Sequence, residues 1–324
     1  MPKISIIIPI YKVENYIERC VRSLMEQTMD NLEFIFVNDC TPDNSMIILH
    51  QVLQDYPHRK HQVAIINNAQ NLGPSDSRKR ALNIAKGIYI GCCDSDDWID
   101  KNYYETMYNA TNNESIDIIV SDYYLSGKEE KKHCFIASKT PHDSLAMMNN
   151  NNYFSYSMCN QIIKCNLIKE QIKHIIPTRL REDTFLMMRV YFHASNIYFI
   201  PKAFYHYTQE NETSLCHNID LGKEAWEKQK ENITSIAKLL NNKKFQKGVN
   251  LFKYMLKQKY RNSFPNLKTY YYTFRESHSD FVYESNKTNP SLKNRLKMKI
   301  VWDTFYFFFW LHHYKNYCTK NCLK

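Results

Sequence analysis

Glycine is scarce in this chain, with 6 in 324 residues. No Gly-x-Gly-x-x-Gly follows the first strand-like run, and no Walker-type glycine loop occurs anywhere. Both motifs use glycines to bring backbone amides against phosphates. Their absence argues against a dinucleotide oxidoreductase and a P-loop phosphotransferase. Any phosphate here is to be neutralised by side chains or a metal. A disulfide framework is also missing. The 10 cysteines are scattered, Cys92 and Cys93 are neighbours, and the Cys318/Cys322 spacing has no second pair to complete a metal site. Free thiols in a reducing compartment are expected. Strand-like sequence begins at once, so no signal peptide is expected. The apolar stretch Ile300 to Leu311 holds Asp303 and is too short to span a bilayer.

What is present is a substantial core composition: 44% apolar residues, with 24 Tyr and 17 Phe. The length suits one large or two modest domains. The net charge of +10 is uneven. Residues 1–221 hold 22 Lys/Arg against 26 Asp/Glu, whereas residues 222–324 hold 21 against 7. This predicts a boundary at residue 222 and assigns the search for an anionic partner to the tail.

Four apolar runs alternate with helical patterns in the first hundred residues. Ile4 to Pro9, Leu32 to Val37, Val63 to Ile66 and Gly87 to Gly91 read as buried strands. Between them, Ile17, Cys20, Val21 and Leu24, then Ile47, Ile48, Val52 and Leu53, recur at helical spacing. The alternation predicts a mainly parallel sheet flanked by helices, an α/β fold of Rossmann-like kind. Such sheets bind ligands beyond the carboxyl ends of their strands. Tyr11, Asp39, Asn71 and Asp94 fall at or just after those ends.

The densest chemistry is Asp94-Ser95-Asp96-Asp97-Trp98, with three carboxylates in four residues. Like charges at this spacing are costly unless a cation sits among them. A divalent metal held by few carboxylates usually carries substrate phosphates as well. An acidic turn leading into a helix N-terminus accounts for the same letters without a ligand.

Taken together, Ile4 to Tyr11, Glu14, Asn38-Asp39 with Asp43-Asn44-Ser45, Asn71-Leu72-Gly73-Pro74 with Arg78, and Asp94 to Trp98 resemble the family 2 glycosyltransferases of GT-A fold. The resemblance covers about the first 110 residues in order and spacing. It implies that Pro9, Tyr11 and Glu14 border a nucleoside, with Tyr11 near the base. Asp39 would accept a hydrogen bond from the base edge, Arg78 would lie near the diphosphate, Asp94 would contact the ribose or the metal's waters, and Asn71 and Ser95 would bind the donor. Asp96, the second aspartate of the Asp-x-Asp pair, would ligate Mg2+ or Mn2+, with Asp97 in support. The chain departs from the family at Asn38 and Cys40, where Asp and Gly are common, and at Lys79, where Asn is.

The second half carries a further signal at Arg181-Glu182-Asp183-Thr184-Phe185. An inverting transfer needs a base for the acceptor hydroxyl, and the resemblance implies Asp183 for that role with Glu182 beside it. The alternative is a helix start bearing favourable acids. Asp117 to Tyr124 reads as a strand, and 197–207 as strand, turn and strand. His206 is placed as a structural residue or a group near the diphosphate. Beyond residue 222 the pattern is helical and lysine-rich. Lys293 to Lys299 then leads into Trp302, Phe305 and Trp310, a pattern suited to a helix in the membrane interface. The other reading is a helix packed on protein.

The expectation is therefore a GT-A catalytic domain over 1–221, with a nucleotide-sugar half at 1–115 and an acceptor half at 116–221. A basic helical region, 222–324, follows. The implied activity is metal-dependent, inverting transfer of a hexosyl or N-acetylhexosaminyl group, most simply from a UDP-sugar. The acceptor would be a growing, polyprenyl-linked or free, surface glycan at the inner face of the cell membrane. An inactive nucleotide-sugar-binding protein is the alternative. Nucleic acid is not expected, because no reader motif accompanies the basic tail.

Overall fold

The computed structural model describes residues 1–148, 150–178, 182–211, 222–260 and 273–274. Two compact units are distinguished, Met1–Val249 with Lys259–Phe264, and Asn250–Gln258 with Pro265–Lys324. In the second unit, Lys257 Nζ donates to the Thr273 carbonyl at 2.7 Å.

The first unit is built on one sheet of nine strands among the described residues. Its first half is parallel. Strands β1 (Ile4–Ile10), β2 (Leu32–Asn38), β3 (Val63–Asn67) and β4 (Tyr89–Cys92) pair in the order β3-β2-β1-β4. Helices α1 (Ile17–Met25), α2 (Ser45–Gln54) and α3 (Pro74–Ile84) make the crossovers. The apolar residues of β1 and β2 are buried on both faces, which is why these strands read as continuous runs rather than alternating ones. Gly87 precedes β4 where a side chain would meet the Ser5 backbone nitrogen at 2.4 Å, so only glycine fits.

The second half mixes directions. β5 (Trp98–Ile99) and α4 (Tyr103–Asn109) follow the acidic stretch, then β6 (Ile118–Ser126), β7 (Lys131–His133) and α5 (Pro141–Ala146). β8 (Gln161–Lys164) inserts antiparallel between β4 and β6. Next come α6 (Cys165–Gln171), α7 (Glu182–His193) and β9 (Ile197–Thr208). The expected strand, turn and strand at 197–207 is one continuous strand. Opposite Ser121 and Asp122 on β6 the register jumps from Ile200 to Ala203, so Pro201 and Lys202 bulge out. Proline has no N–H for the ladder, and a bulge accommodates it without ending the strand.

The first compact unit continues through Val249. Helix α8 (Lys223–Leu239) belongs to that unit: it buries Trp226, Ile233 and Ile236, and its Asn232 side chain exchanges two 3.0 Å hydrogen bonds with the Ile176 backbone. Lysines report the solvent face of a helix, whereas its apolar stripe decides what it packs on. Helix α9 (Lys243–Lys259) follows. The described cysteines Cys20, Cys40, Cys92, Cys93, Cys134, Cys159 and Cys165 are free thiols. No described helix is long and apolar enough to cross a membrane. The proposed interfacial segment at 293–311 lies outside the described residues.

Candidate active site

Parallel pairing gathers the strand ends on one edge. Ile10 on β1 faces Asn38 on β2, Asn38 faces Asn67 on β3, and Ile7 faces Cys92 at the end of β4. Tyr11, Asp39, Asn71 and Asp94 therefore leave the sheet on the same side.

At the β2 end, Asp39 is 3% exposed. Its Oδ1 accepts from Leu72 N and Asn68 Nδ2, each at 2.8 Å, and its Oδ2 accepts from Gly73 N at 2.8 Å. The carboxylate thereby fastens the loop that carries Asn71. That loop turns at Gly73, whose φ of 86° favours glycine, and Pro74 then opens α3. Glu14 is also held: its Oε2 accepts from Asn44 N and Nδ2 at 3.0 Å. Pro9 is half-buried, and Tyr11 is exposed beside Lys12. Lys12 and Cys40 both adopt left-handed backbone, with φ of 54° and 56°. The two turns are joined by Lys12 N donating to Thr41 Oγ1 at 2.8 Å.

At the β4 end the carboxylates divide. Asp94 and Asp96 are half-exposed, while Ser95 and Asp97 are buried. Asp97 accepts from the Tyr205 hydroxyl at 2.5 Å and from Thr208 N at 2.7 Å. Burial, then the charges of Asp96 and Asp94, hold its carboxyl well above the usual range. Asp96 is pushed the same way by burial and by Asp94. Its Oδ2 accepts from Asn211 Nδ2 at 2.8 Å.

Arg78, on the buried side of α3, reaches this edge with its guanidinium between two acids. Nη2 donates to Asp94 Oδ1 at 2.8 Å, and Nη1 donates to Glu182 Oε1. Burial works against the cation, but the charges of Asp94 and Glu182 keep it protonated. Glu182 is 6% exposed, and burial, opposed by Arg78 and assisted by Asp183, raises its carboxyl to about 7. Asp183 is half-exposed in the first turn of α7, where its Oδ1 accepts from Thr184 N at 2.7 Å. Thus Arg78, Asp94, Glu182 and Asp183 are neighbours, while Asp39 and Glu14 brace the β1 and β2 turns.

Sequence reasoning missed the contribution of β9. The Tyr205 hydroxyl bonds Asp97 and accepts from Asp94 N at 3.1 Å. Thr208 Oγ1 donates to the Asp96 carbonyl at 2.6 Å. The Tyr-His-Tyr run was the available signal, but alternation on a strand does not name the partner. His206 stacks on Trp98 with ring centroids 3.4 Å apart, and its nitrogens meet Glu130 and Asp100. Those contacts make it a structural residue. A cleft of about 470 Å³ opens between the β1 and β2 turns and the end of β9. Glu14, Lys12, Tyr16, Pro42, Glu210 and Asn211 are among its walls.

Known proteins resemble this chain in sequence and in fold. The chain is 30% identical over 217 residues to the glycosyltransferase GlyA of Streptococcus pneumoniae, covering 63% of this chain and 30% of that protein. It is 32% identical over 200 residues to the poly(ribitol-phosphate) beta-glucosyltransferase of Bacillus spizizenii, covering 60% and 30%. The chain thus spans about a third of the length of these two relatives. Among solved structures, Staphylococcus aureus TarS 1-349 in complex with UDP-GlcNAc superposes with a TM-score of 0.65 at 19% identity, over 86% of this chain and 80% of that one. That likeness shows the GT-A fold. The profile described as Glycosyl transferase family 2 matches residues 5–171, and the chain belongs to that family.

Proposed function

We propose that this protein is an inverting glycosyltransferase that moves a sugar from a UDP-linked donor to a hydroxyl of a growing surface glycan. The observation that carries the reading is the Arg78 bridge. It joins Asp94, at the strand end suited to the donor, to Glu182, next to the carboxylate suited to the acceptor. In this reading the acceptor oxygen attacks the anomeric carbon as the bond to the diphosphate breaks, and Asp183 takes the hydroxyl proton. Arg78 and Glu182 hold the start of α7 so that Asp183 faces the donor. Asn71 and Ser95 line the diphosphate, and Tyr11, Pro9 and Glu14 shape the nucleoside side. Asp39 acts through the loop it fastens. The names of the relatives, among them a poly(ribitol-phosphate) beta-glucosyltransferase and a minor teichoic acid biosynthesis protein, support a cell-surface polymer as acceptor.

A divalent ion suits the donor set. Asp94 and Asp96 are half-exposed, hard oxygen ligands, and Asp96 is disfavoured as an anion by burial and by Asp94. No group of three or more His, Cys, Asp or Glu side chains converges among the described residues. An ion at Asp96 would therefore complete its shell with water and diphosphate oxygens, as Mg2+ and Mn2+ commonly do. Such an ion would supply charge neutralisation on the departing UDP.

Purified protein is to be screened with UDP- and GDP-sugars for Mn2+-dependent release of the nucleotide. Release from one UDP-sugar is expected, and binding of donors without turnover would favour a binding protein. From sequence alone, the basic and aromatic segment 293–311 is read as a contact with anionic lipid, which would place the reaction at the inner face of the membrane. Flotation with phosphatidylglycerol vesicles, lost on deleting 293–324, checks this.

A further inference from the structure

We propose that Asn211 sets the affinity of Asp96 for a divalent cation, by occupying a carboxylate oxygen until the ion displaces it. The inference rests on the reading of Asp96 as the ion's ligand. Asn211 is 4% exposed, and its Nδ2 donates to Asp96 Oδ2 at 2.8 Å. An amide NH2 presents only the positive ends of its N–H bonds. Aimed at the oxygen a cation must use, those ends repel the cation and compete for the same electron density. The bond therefore breaks on ion entry.

The surroundings localise the movement. Three residues earlier the chain is anchored to the acidic stretch: Thr208 N donates to Asp97 Oδ1 at 2.7 Å, and Thr208 Oγ1 donates to the Asp96 carbonyl at 2.6 Å. Arg19 Nη2 adds a bond to the same hydroxyl at 3.0 Å. Gln209 N also donates to the Ser126 carbonyl at 2.8 Å, and at the next residue the Tyr16 hydroxyl donates to the Glu210 carbonyl at 3.3 Å. Thr208 and Gln209 stay, and residues 210 and 211 yield. Glu210 and Asn211 are also walls of the cleft beside Tyr16 and Lys12. Ion binding and cleft shape are thereby linked, and by reciprocity a nucleotide that reshapes the cleft changes the ion's affinity.

The test uses the full chain with excess UDP, titrating Mn2+ and following the paramagnetic resonance signal of the free ion. Asn211→Ala is expected to bind Mn2+ roughly tenfold more tightly, the equivalent of one charge-assisted hydrogen bond. Unchanged or weaker binding overturns the proposal; weaker binding makes Asn211 a ligand instead of a competitor. Asp96→Asn is expected to lose the ion. If Asp96→Asn binds Mn2+ like the wild type, the reading of Asp96 fails, separately from that of Asn211. Hydrogen exchange on the unmutated protein gives a second readout, independent of how the variants fold. Amides of residues 210 and 211 are expected to exchange faster with Mn2+ while those of Thr208 and Gln209 do not change, and equal exchange at 210 and 211 overturns the proposal.

Discussion

The ends of β2 and β4 look alike in sequence, each an apolar run that closes on aspartate, yet they use it in opposite ways. Asp39 is enclosed, and three protein donors occupy its oxygens. Asp94 and Asp96 remain half-exposed, with Arg78 bonded to the first and Asn211 to the second. Both ends occupy equivalent positions in the parallel half of the sheet. What separates them is the cover: the loop ending in Gly73 folds over Asp39, whereas the end of β9 binds Asp97 and leaves its two neighbours at the opening. An acid whose partners are backbone amides contributes to stability. Asp96 differs: burial and the charge of Asp94 disfavour its anion.

That contrast can be broken most directly at the chemistry. Asp96→Ala and Asp183→Ala are each expected to lower kcat by about a thousandfold while leaving the melting temperature within a few degrees of wild type. Full turnover in Asp183→Ala would move the base elsewhere, and unfolding of Asp96→Ala would erase the distinction from Asp39. The opposite pattern is expected at β2. Asp39→Ala strands two backbone donors and the Asn68 amide, and should cost about 3 kcal/mol in urea unfolding. Asp39→Asn, which keeps one acceptor oxygen, should cost less. An Asp39→Ala variant of wild-type stability would show that the loop closes without it.

A finer test lies in pH. The Glu182 carboxyl stands at about 7 in the folded protein against 4.5 as its ordinary value. The folded state therefore holds this proton more tightly than the unfolded chain does. The contribution is fully present below about pH 4.5 and is lost as pH rises through 7, amounting to about 3 kcal/mol. Urea unfolding between pH 5 and 8 should show stability falling with pH, and Glu182→Gln should remove its share of that slope. An unchanged slope in the variant would assign it to Asp96 and Asp97, which burial shifts in the same direction.

The parallel strands were legible because burial on both faces leaves long apolar runs, and the acidic stretch because three carboxylates in four residues stand out in any context. The short strands β5 and β7 were not. Two or three residues carry too little pattern, and their pairing with β9 and β6 is decided by distant partners. Nor was antiparallel β8, since four residues of strand cannot announce their place in a sheet. Glu182 and Asp183 were legible as acids at a helix start. That Glu182 would meet a guanidinium 104 residues away was not.

By itself, then, the sequence determined an α/β chain whose acids cluster at strand ends, since periodicity and local composition are properties of neighbouring residues. Only the tertiary structure decided which of those acids are enclosed and which face the opening. Burial, donor pairing and the electrostatic cost of a buried charge depend on side chains that meet across a hundred residues, as Tyr205 meets Asp97 and Arg78 meets Glu182.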